Sequence, residues 1–366
     1  MFKKSAIIGV MLISFFLIGS VMIQSAFASD HTPVSHDLQI SCLYVIDFRL
    51  IDVVPDRVQF FKNQKVVYVR KKTDFNETLW VNFKMQMDKN WSTYARMDQN
   101  FALHPNIFTT DQSTYVKGGE KSVGYLDQYG LTYGNRGMIG KIGRQDFKLG
   151  PLGMLADTTL TIGDTNVNGV SMSIKQDKMT WNGLYISQID NNTKKNYNNK
   201  IWSLGTSYAA DKRFTVGAYY ATKINANTAL NLGSKSASYR EVNFNYKNIV
   251  PNVSFTSEFA WTKNDPFVIS SFPASTIKSY VYQLAYQMDR KNVLKVGTVS
   301  IPFLSGISTL DPKANFINVQ HSINKNEMVE VYYRDGKYHL PTDLYRIYGA
   351  GPYSERFSRI TYWHRF

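Results

Sequence analysis

Apolar and polar positions alternate with a period of two along most of the chain. Leu79, Val81, Phe83, Met85 and Met87 alternate with Trp80, Asn82, Lys84 and Gln86, which predicts a strand with one apolar face. Asp88-Lys89-Asn90 follows as a turn tripeptide, and then Trp91, Thr93, Ala95 and Met97 alternate with Ser92, Tyr94, Arg96 and Asp98. The two runs make a hairpin. The pattern returns at Tyr280, Tyr282, Leu284, Tyr286 and Met288, and at Val253, Phe255, Phe259 and Trp261. The expected fold class is all-β.

Seven short connections punctuate the strands, at 88–90, 134–137, 177–178, 210–212, 248–252, 289–292 and 324–326. Eight longer polar or Gly/Pro-bearing segments separate the hairpins, at about 73–78, 100–122, 148–165, 190–199, 224–236, 264–278, 302–313 and 336–356. Long and short connections alternate strictly, so together they join sixteen strands, the first beginning at Val66 and the last running from Phe357 to Phe366. An even number of strands, with short turns at one end and long loops at the other, is the plan of a transmembrane antiparallel β-barrel of the outer-membrane type. A soluble sandwich of this length would need two domains and a linker, and none is visible. A solenoid would repeat at a fixed period, whereas the spacing here is uneven. Residues 29–65 fit the plan less well. Leu38, Ile40, Cys42, Tyr44, Ile46 and Phe48 alternate, and the alternatives for this stretch are two more strands, for eighteen in all, or a periplasmic plug or extension.

Composition agrees with export. Lys3 and Lys4 precede an apolar stretch from Ala6 to Ile23, and Ala26-Phe27-Ala28 is an A-x-A box before Ser29, the signature of a secretory signal peptide. The organisation expected is a signal peptide at 1–28, an N-terminal segment of open role at 29–65, and a barrel at 66–366. Beyond residue 28 no run of about 18 apolar residues occurs, so a membrane would be crossed by strands. One cysteine, Cys42, excludes an internal disulfide framework. The formal charge of +14 is scattered, without the basic blocks that mark nucleic-acid contact. No nucleic-acid partner is expected.

Two resemblances sharpen this reading. The chain ends Ile360-Thr361-Tyr362-Trp363-His364-Arg365-Phe366, and a terminal Phe after alternating apolar residues resembles the signal read by the barrel assembly machinery, with Phe366 as its key element. His364 departs from the aromatic residue usual two places from the end. Gly143-Arg144-Gln145, a Gly/Pro-bearing segment to Gly163-Asp164, and Val167-Asn168-Gly169-Val170 resemble the general, trimeric, sixteen-stranded Gram-negative porins. In that family a G-R-[QN] stretch ends the fifth strand and an acidic third loop folds into the lumen. The P-E-F-G-G-D of that loop is absent here. The resemblance implies a passive outer-membrane channel for small hydrophilic solutes and ions, a homotrimer surrounded by outer-membrane lipid, with no cofactor.

Lipid-facing apolar parity turns Arg70, Lys84 and Arg96 inward. Arg144 joins them through its match to the family arginine, and Asp157 and Asp164 lie on the third loop, which in the family folds inward opposite a basic wall. These six are the candidate pore constriction, and their basic excess points to a weak anion preference. Motifs for chemistry are poor. Ser275-Thr276-Ile277-Lys278 matches S-x-x-K without its companions, Gly118-Gly119-Glu120-Lys121-Ser122 lacks the glycine before lysine that a phosphate loop needs, and the six histidines form no i,i+4 pair for a metal. The protein is not expected to be an enzyme. The alternatives are a barrel enzyme of the phospholipase or protease type, for which His321 and His339 are the candidates, and a structural or adhesive barrel.

Overall fold

The computed structural model describes residues 37–54, 59–62, 65–68, 71–103, 121–153, 156–157, 167–189, 200–224, 236–263, 277–300, 313–338 and 353–366. The strands are β1 (Leu38–Val54), β2 (Gln59–Lys62), β3 (Lys65–Tyr68), β4 (Lys71–Gln86), β5 (Trp91–Leu103), β6 (Lys121–Asn135), β7 (Met138–Gln145), β8 (Lys148–Leu149), β9 (Ala156–Asp157), β10 (Val167–Gln176), β11 (Met179–Ile189), β12 (Lys200–Ala209), β13 (Phe214–Ile224), β14 (Ser236–Val250), β15 (Val253–Lys263), β16 (Ile277–Gln287), β17 (Asn292–Ser300), β18 (Lys313–Ser322), β19 (Glu327–Tyr338) and β20 (Tyr353–Arg365). Sixteen of them close an antiparallel barrel in which each pairs with its neighbours in sequence and β1 pairs with both β4 and β20. The remaining four form two small hairpins, β2–β3 and β8–β9. No helix occurs among the described residues.

The barrel has the sixteen strands expected, but its first member differs. Leu38–Val54, in the stretch for which the sequence leaves open two more strands or a periplasmic plug or extension, runs beside β20 from Leu43↔Arg365 to Val54↔Ser354 and beside β4 from Leu38↔Met85 to Asp52↔Lys71. The expected first strand at Val66 belongs instead to the four-residue hairpin strand β3, and the expected loop at 73–78 lies inside β4. The physical reason is length. A seventeen-residue strand satisfies ladder hydrogen bonds on both edges across the whole wall, which four residues cannot do. The barrel therefore starts at Leu38 rather than at residue 66, and the alternative of eighteen strands does not occur. The expected signal peptide, residues 1–28, lies outside the described residues.

Polarity is inverted relative to a water-soluble protein. Leu131, Trp181, Leu204, Leu284, Ile317 and Ile360 are exposed on the outer face, whereas Asp47, Asp98, Asp127, Glu241, Glu258 and Glu330 are buried on the inner parity. Buried charge and an exposed apolar belt are the informative deviations from ordinary packing, and they match a barrel whose solvent on the outside is hydrocarbon.

The short turns repeat one device. Asp88 Oδ1 accepts hydrogen bonds from the main-chain N–H groups of Asn90 (2.7 Å) and Trp91 (2.8 Å). Asp211 does the same for Arg213 and Phe214, and Asp289 for Lys291 and Asn292. Asn324 Oδ1 accepts from Asn326 N. The side chain thus satisfies donors that the tight connection leaves unpaired. The seam is completed at the C-terminus, where Cys42 N donates to Phe366 O (2.8 Å) and Phe366 N to Cys42 O (3.1 Å).

After β7 the chain turns inward. Phe147 and Leu149 pack onto an apolar arc of the inner wall formed by Ile186, Ile201, Tyr239, Ala260, Val281 and their neighbours. This is the start of the third long connection, and its described part, residues 146–153, folds into the lumen as the resemblance implied. The arc explains why these inward positions are apolar in a wall that is otherwise polar.

Candidate functional site

The third loop is fixed to the wall by apolar and polar contacts. Its β8–β9 hairpin pairs Lys148 with Asp157 and Leu149 with Ala156. Between them the chain passes two buried carboxylates on adjacent strands, Glu241 on β14 and Glu258 on β15. Glu258 Oε1 accepts from the main-chain N–H of Leu152 and from that of Gly153 at 3.2 Å. Gly150, at φ +81°, lies so close that a Cβ there would meet Glu258 Oε1 at 2.7 Å and collide with Glu241 Oε1. Conformation and space both favour glycine here, and a larger residue would push the two carboxylates aside.

Beside the loop lies a cavity of about 570 Å³, bounded by Lys148, Pro151 and Leu152 on one side and by the inner faces of β1 and β14–β20 on the other. Its charged lining comprises Lys148, Lys295, Arg334 and Arg359 against Asp47 and Glu330. Arg359 Nη2 pairs with Glu330 Oε1 at 2.6 Å, and its Nε lies 3.9 Å from Asp47 Oδ1. Thr361 Oγ1 also donates to Asp47 at 2.5 Å, Arg49 pairs with that carboxylate, and Gln320 Nε2 donates to Glu330 at 2.7 Å. Aromatic rings alternate with the cations. Phe316 stacks on Tyr332 at 6.0 Å, Tyr332 meets Phe357 at 5.9 Å, and the guanidinium groups of Arg334 and Arg359 lie over Phe357 (5.3 Å) and Tyr332 (5.6 Å). Stacking on aromatic faces holds an arginine in place while leaving its positive field directed into the cavity.

The residues singled out from sequence fall in two groups. Arg96 is on the inner face of β5, where its Nε reaches Asp127 Oδ1 and Oδ2 at 3.0 and 2.8 Å and its Nη2 reaches Oδ2 at 2.5 Å. Its Nη1 lies 3.8 Å from Asp146, and its guanidinium lies 4.5 Å from the Trp80 ring centroid. Arg144 is buried, and its Nε donates to the main-chain O of the same Asp127 at 2.7 Å. Lys84 stands in register with Tyr94, whose ring also carries Lys141 Nζ at 4.4 Å. The structure thus brings Lys84, Arg96 and Arg144 into one patch of β4–β7. Asp157 contributes its backbone to the loop hairpin. Arg70 and Asp164 lie outside the described residues.

Pattern reading missed the denser cluster on β1 and β17–β20. The parity rule reaches it: Lys295 sits between Leu294 and Val296, Arg334 follows Tyr333, and Arg359 precedes Ile360.

No family model matches the sequence, and no curated protein matches it. Solved structures do match in shape. OmpF of Salmonella typhi, in a complex with daunomycin, shares 15% identity over 90% of this chain and 98% of its own, with a TM-score of 0.55. OpdQ of Pseudomonas aeruginosa shares 9% over 90% and 98%, with a TM-score of 0.54. A double mutant of the Rhodopseudomonas blastica porin shares 10% over 90% and 100%, with a TM-score of 0.51. At these identities the likeness is one of architecture, and the chain has the sixteen-stranded barrel fold of the Gram-negative porins.

Proposed function

We propose that the protein is an outer-membrane channel through which small hydrophilic solutes and ions diffuse passively, and that it is not an enzyme. The observation that carries this reading is the pairing of an apolar outer belt with a charged lumen into which the third loop is folded. A membrane-spanning wall with polar groups inside has water as its natural filling. The loop narrows the passage, and charges on the two sides of the narrowing act across a short, partly low-dielectric gap. The cavity lining holds four cations against two carboxylates, which supports a weak anion preference. The constriction then draws on Arg70, Lys84, Arg96, Arg144, Asp157 and Asp164 together with the β17–β20 cluster.

In this reading the chain is exported with cleavage after Ala28. The barrel assembly machinery inserts it by way of Phe366, and three copies assemble in the outer membrane. Single-channel recording in a planar bilayer under a KCl gradient tests the core of the proposal. Discrete conductance steps are expected, with a reversal potential displaced modestly toward anions. Stable insertion without conductance would refute a pore and favour a structural barrel.

A further inference from the structure

The lumen-facing positions of β17–β20 alternate rings and cations in two directions. The ladder registers set Lys295, Asn318, Tyr332 and Arg359 in one row across the four strands. The next row toward the long loops is Gly297, Phe316, Arg334 and Phe357. On β19 and β20 a ring and a guanidinium therefore exchange places from one row to the next, and Phe316 on β18 extends the diagonal of rings. Gly297 leaves room for it, since a Cβ there would collide with Phe316 Cζ. Apart from Gly297, every residue of the two rows lines the cavity beside the third loop.

Three kinds of recognition meet in that cavity. The first is charge. Four cations stand against two carboxylates in the lining, and both carboxylates are already engaged, Glu330 by Arg359 and Gln320, Asp47 by Arg49 and Thr361. An excess of two positive charges remains, with Lys148 contributed by the loop and Lys295 by the wall. The second is stacking, on the diagonal of Phe316, Tyr332 and Phe357. The third is a set of amides, Asn245, Gln283, Asn318 and Gln320, around the same space. Each amide offers both donors and an acceptor, and Asn318 Oδ1, in the row between Tyr332 and Lys295, has no hydrogen-bond partner among the described residues. The volume of about 570 Å³ is that of a site for a small organic molecule.

We propose that this cavity is a subsite for a nucleoside monophosphate, a flat heterocycle joined to a phosphomonoester. The base stacks on Tyr332 and Phe316 with the amides at its edge, and the phosphate lies toward Lys148, Lys295 and Arg334. A phosphomonoester carries about two negative charges near neutral pH, which answers the excess on the lining. Neighbouring strands lie about 4.8 Å apart, so Tyr332 on β19 and Lys295 on β17 are separated by about 10 Å, a span that a ribose and a lysine side chain cover together. The inference deepens the channel reading and rests on it for the solute's access to the lumen. Inorganic phosphate would leave the rings and amides unused, and a neutral nucleoside would leave the positive excess unanswered. A nucleotide meets all three at once.

The test uses the folded barrel in a neutral detergent, titrated by isothermal calorimetry with AMP, adenosine, ribose 5-phosphate and inorganic phosphate. AMP is expected to bind at least tenfold more tightly than any of its parts. Tyr332→Leu should bring AMP down to the affinity of ribose 5-phosphate, whose own unchanged binding shows that the variant is folded. Lys295→Gln should weaken AMP and ribose 5-phosphate together, by at least fivefold, and leave adenosine unchanged. Lys212→Gln, at an exposed turn, should behave as wild type. AMP binding no tighter than ribose 5-phosphate, or undiminished AMP binding by both Tyr332→Leu and Lys295→Gln, would overturn the subsite. Conductance is recorded separately. Ions passing through a barrel that does not bind AMP would keep the channel and overturn the subsite, whereas AMP bound by a barrel that passes no ions would refute the channel and keep the subsite.

Discussion

The hold of Glu258 on the third loop is the most direct handle on the proposed constriction. Replacing Glu258 with Ala removes a buried carboxylate that accepts main-chain hydrogen bonds from Leu152 and Gly153. A hydrogen bond to a charged group contributes about 1.5–3 kcal/mol, so two would suggest roughly twice that. Glu241 lies beside it, however, close enough that both carboxylates would crowd a side chain at Gly150. Removing one of two carboxyl groups crowded into a buried site relieves the penalty of holding both there and returns part of the loss. A net cost of roughly 1–2 kcal/mol follows, equivalent to a factor of about 5–30 between docked and undocked loop. Phe147 and Leu149 still anchor the loop, each burial contributing about 1.5–3 kcal/mol, so the loop should flicker rather than leave. The assay is single-channel recording of wild type, Glu258→Ala and Glu241→Gln at equal voltage. The alanine variant should show more frequent transitions or added open-channel noise, whereas Glu241→Gln, which removes the neighbouring carboxyl group and keeps the Glu258 contacts, should be as quiet as wild type or quieter. Gly150→Ala should resemble Glu258→Ala. Unaltered traces in both Glu258→Ala and Gly150→Ala, in channels that insert normally, would refute the latch.

Replacing Arg96 and Arg144 together with Ser should enlarge conductance and shift the reversal potential toward cations. Because Asp127 then loses its guanidinium partner in a buried setting, a stability loss of roughly 3–5 kcal/mol is expected in denaturant titration of the folded barrel; unchanged selectivity and stability would count against any role for this patch. Deletion of Phe366 removes the residue whose main chain closes the seam with Cys42, and fractionation should find the chain accumulating in the periplasm rather than at normal outer-membrane levels. Hydrogen bonds hold the carboxyls of Asp88, Asp211 and Asp289 below the ordinary 3.8: from main-chain N–H groups for the first two, and for Asp289 chiefly from the Asn292 side chain. Groups with lowered folded values contribute stability that is present above pH 3.8 and lost as pH falls through their folded values. Thermal melts of the triple Asp→Ala variant should therefore lie below wild type at neutral pH and converge with it in strong acid; a pH-independent difference would show that the turns do not depend on the ionised carboxylates.

How far the sequence could be read depended on whether local pattern or long-range pairing decided each feature. Hairpins were legible because alternation and turn chemistry are local: Asp88-Lys89-Asn90 and Asn324-Lys325-Asn326 announce their turns within a few residues, and the side-chain caps that hold them are made by those same residues. The first strand was misplaced because Leu38–Val54 and the short run at Val66 look alike over a few residues. They differ only in how much of β20 and β4 each can pair with, over three hundred residues away in the first case. Arg96 was read as inward from its parity, yet its clamp by Asp127 depends on the register shift in β6 opposite Arg96 and Met97, which turns both Asp127 and Gln128 to the lumen. A period-two reading cannot see such a bulge, because it moves one residue off the alternation that the reading assumes. The same limit hid Glu241 and Glu258. Each sits at an ordinary inward position, and only the return of Gly150 to Gly153 from the far end of β7 makes them a pair that grips a loop. Local alternation places charges on a wall; which of them oppose one another across the lumen is settled by closure, and closure is written in contacts between residues far apart in the chain.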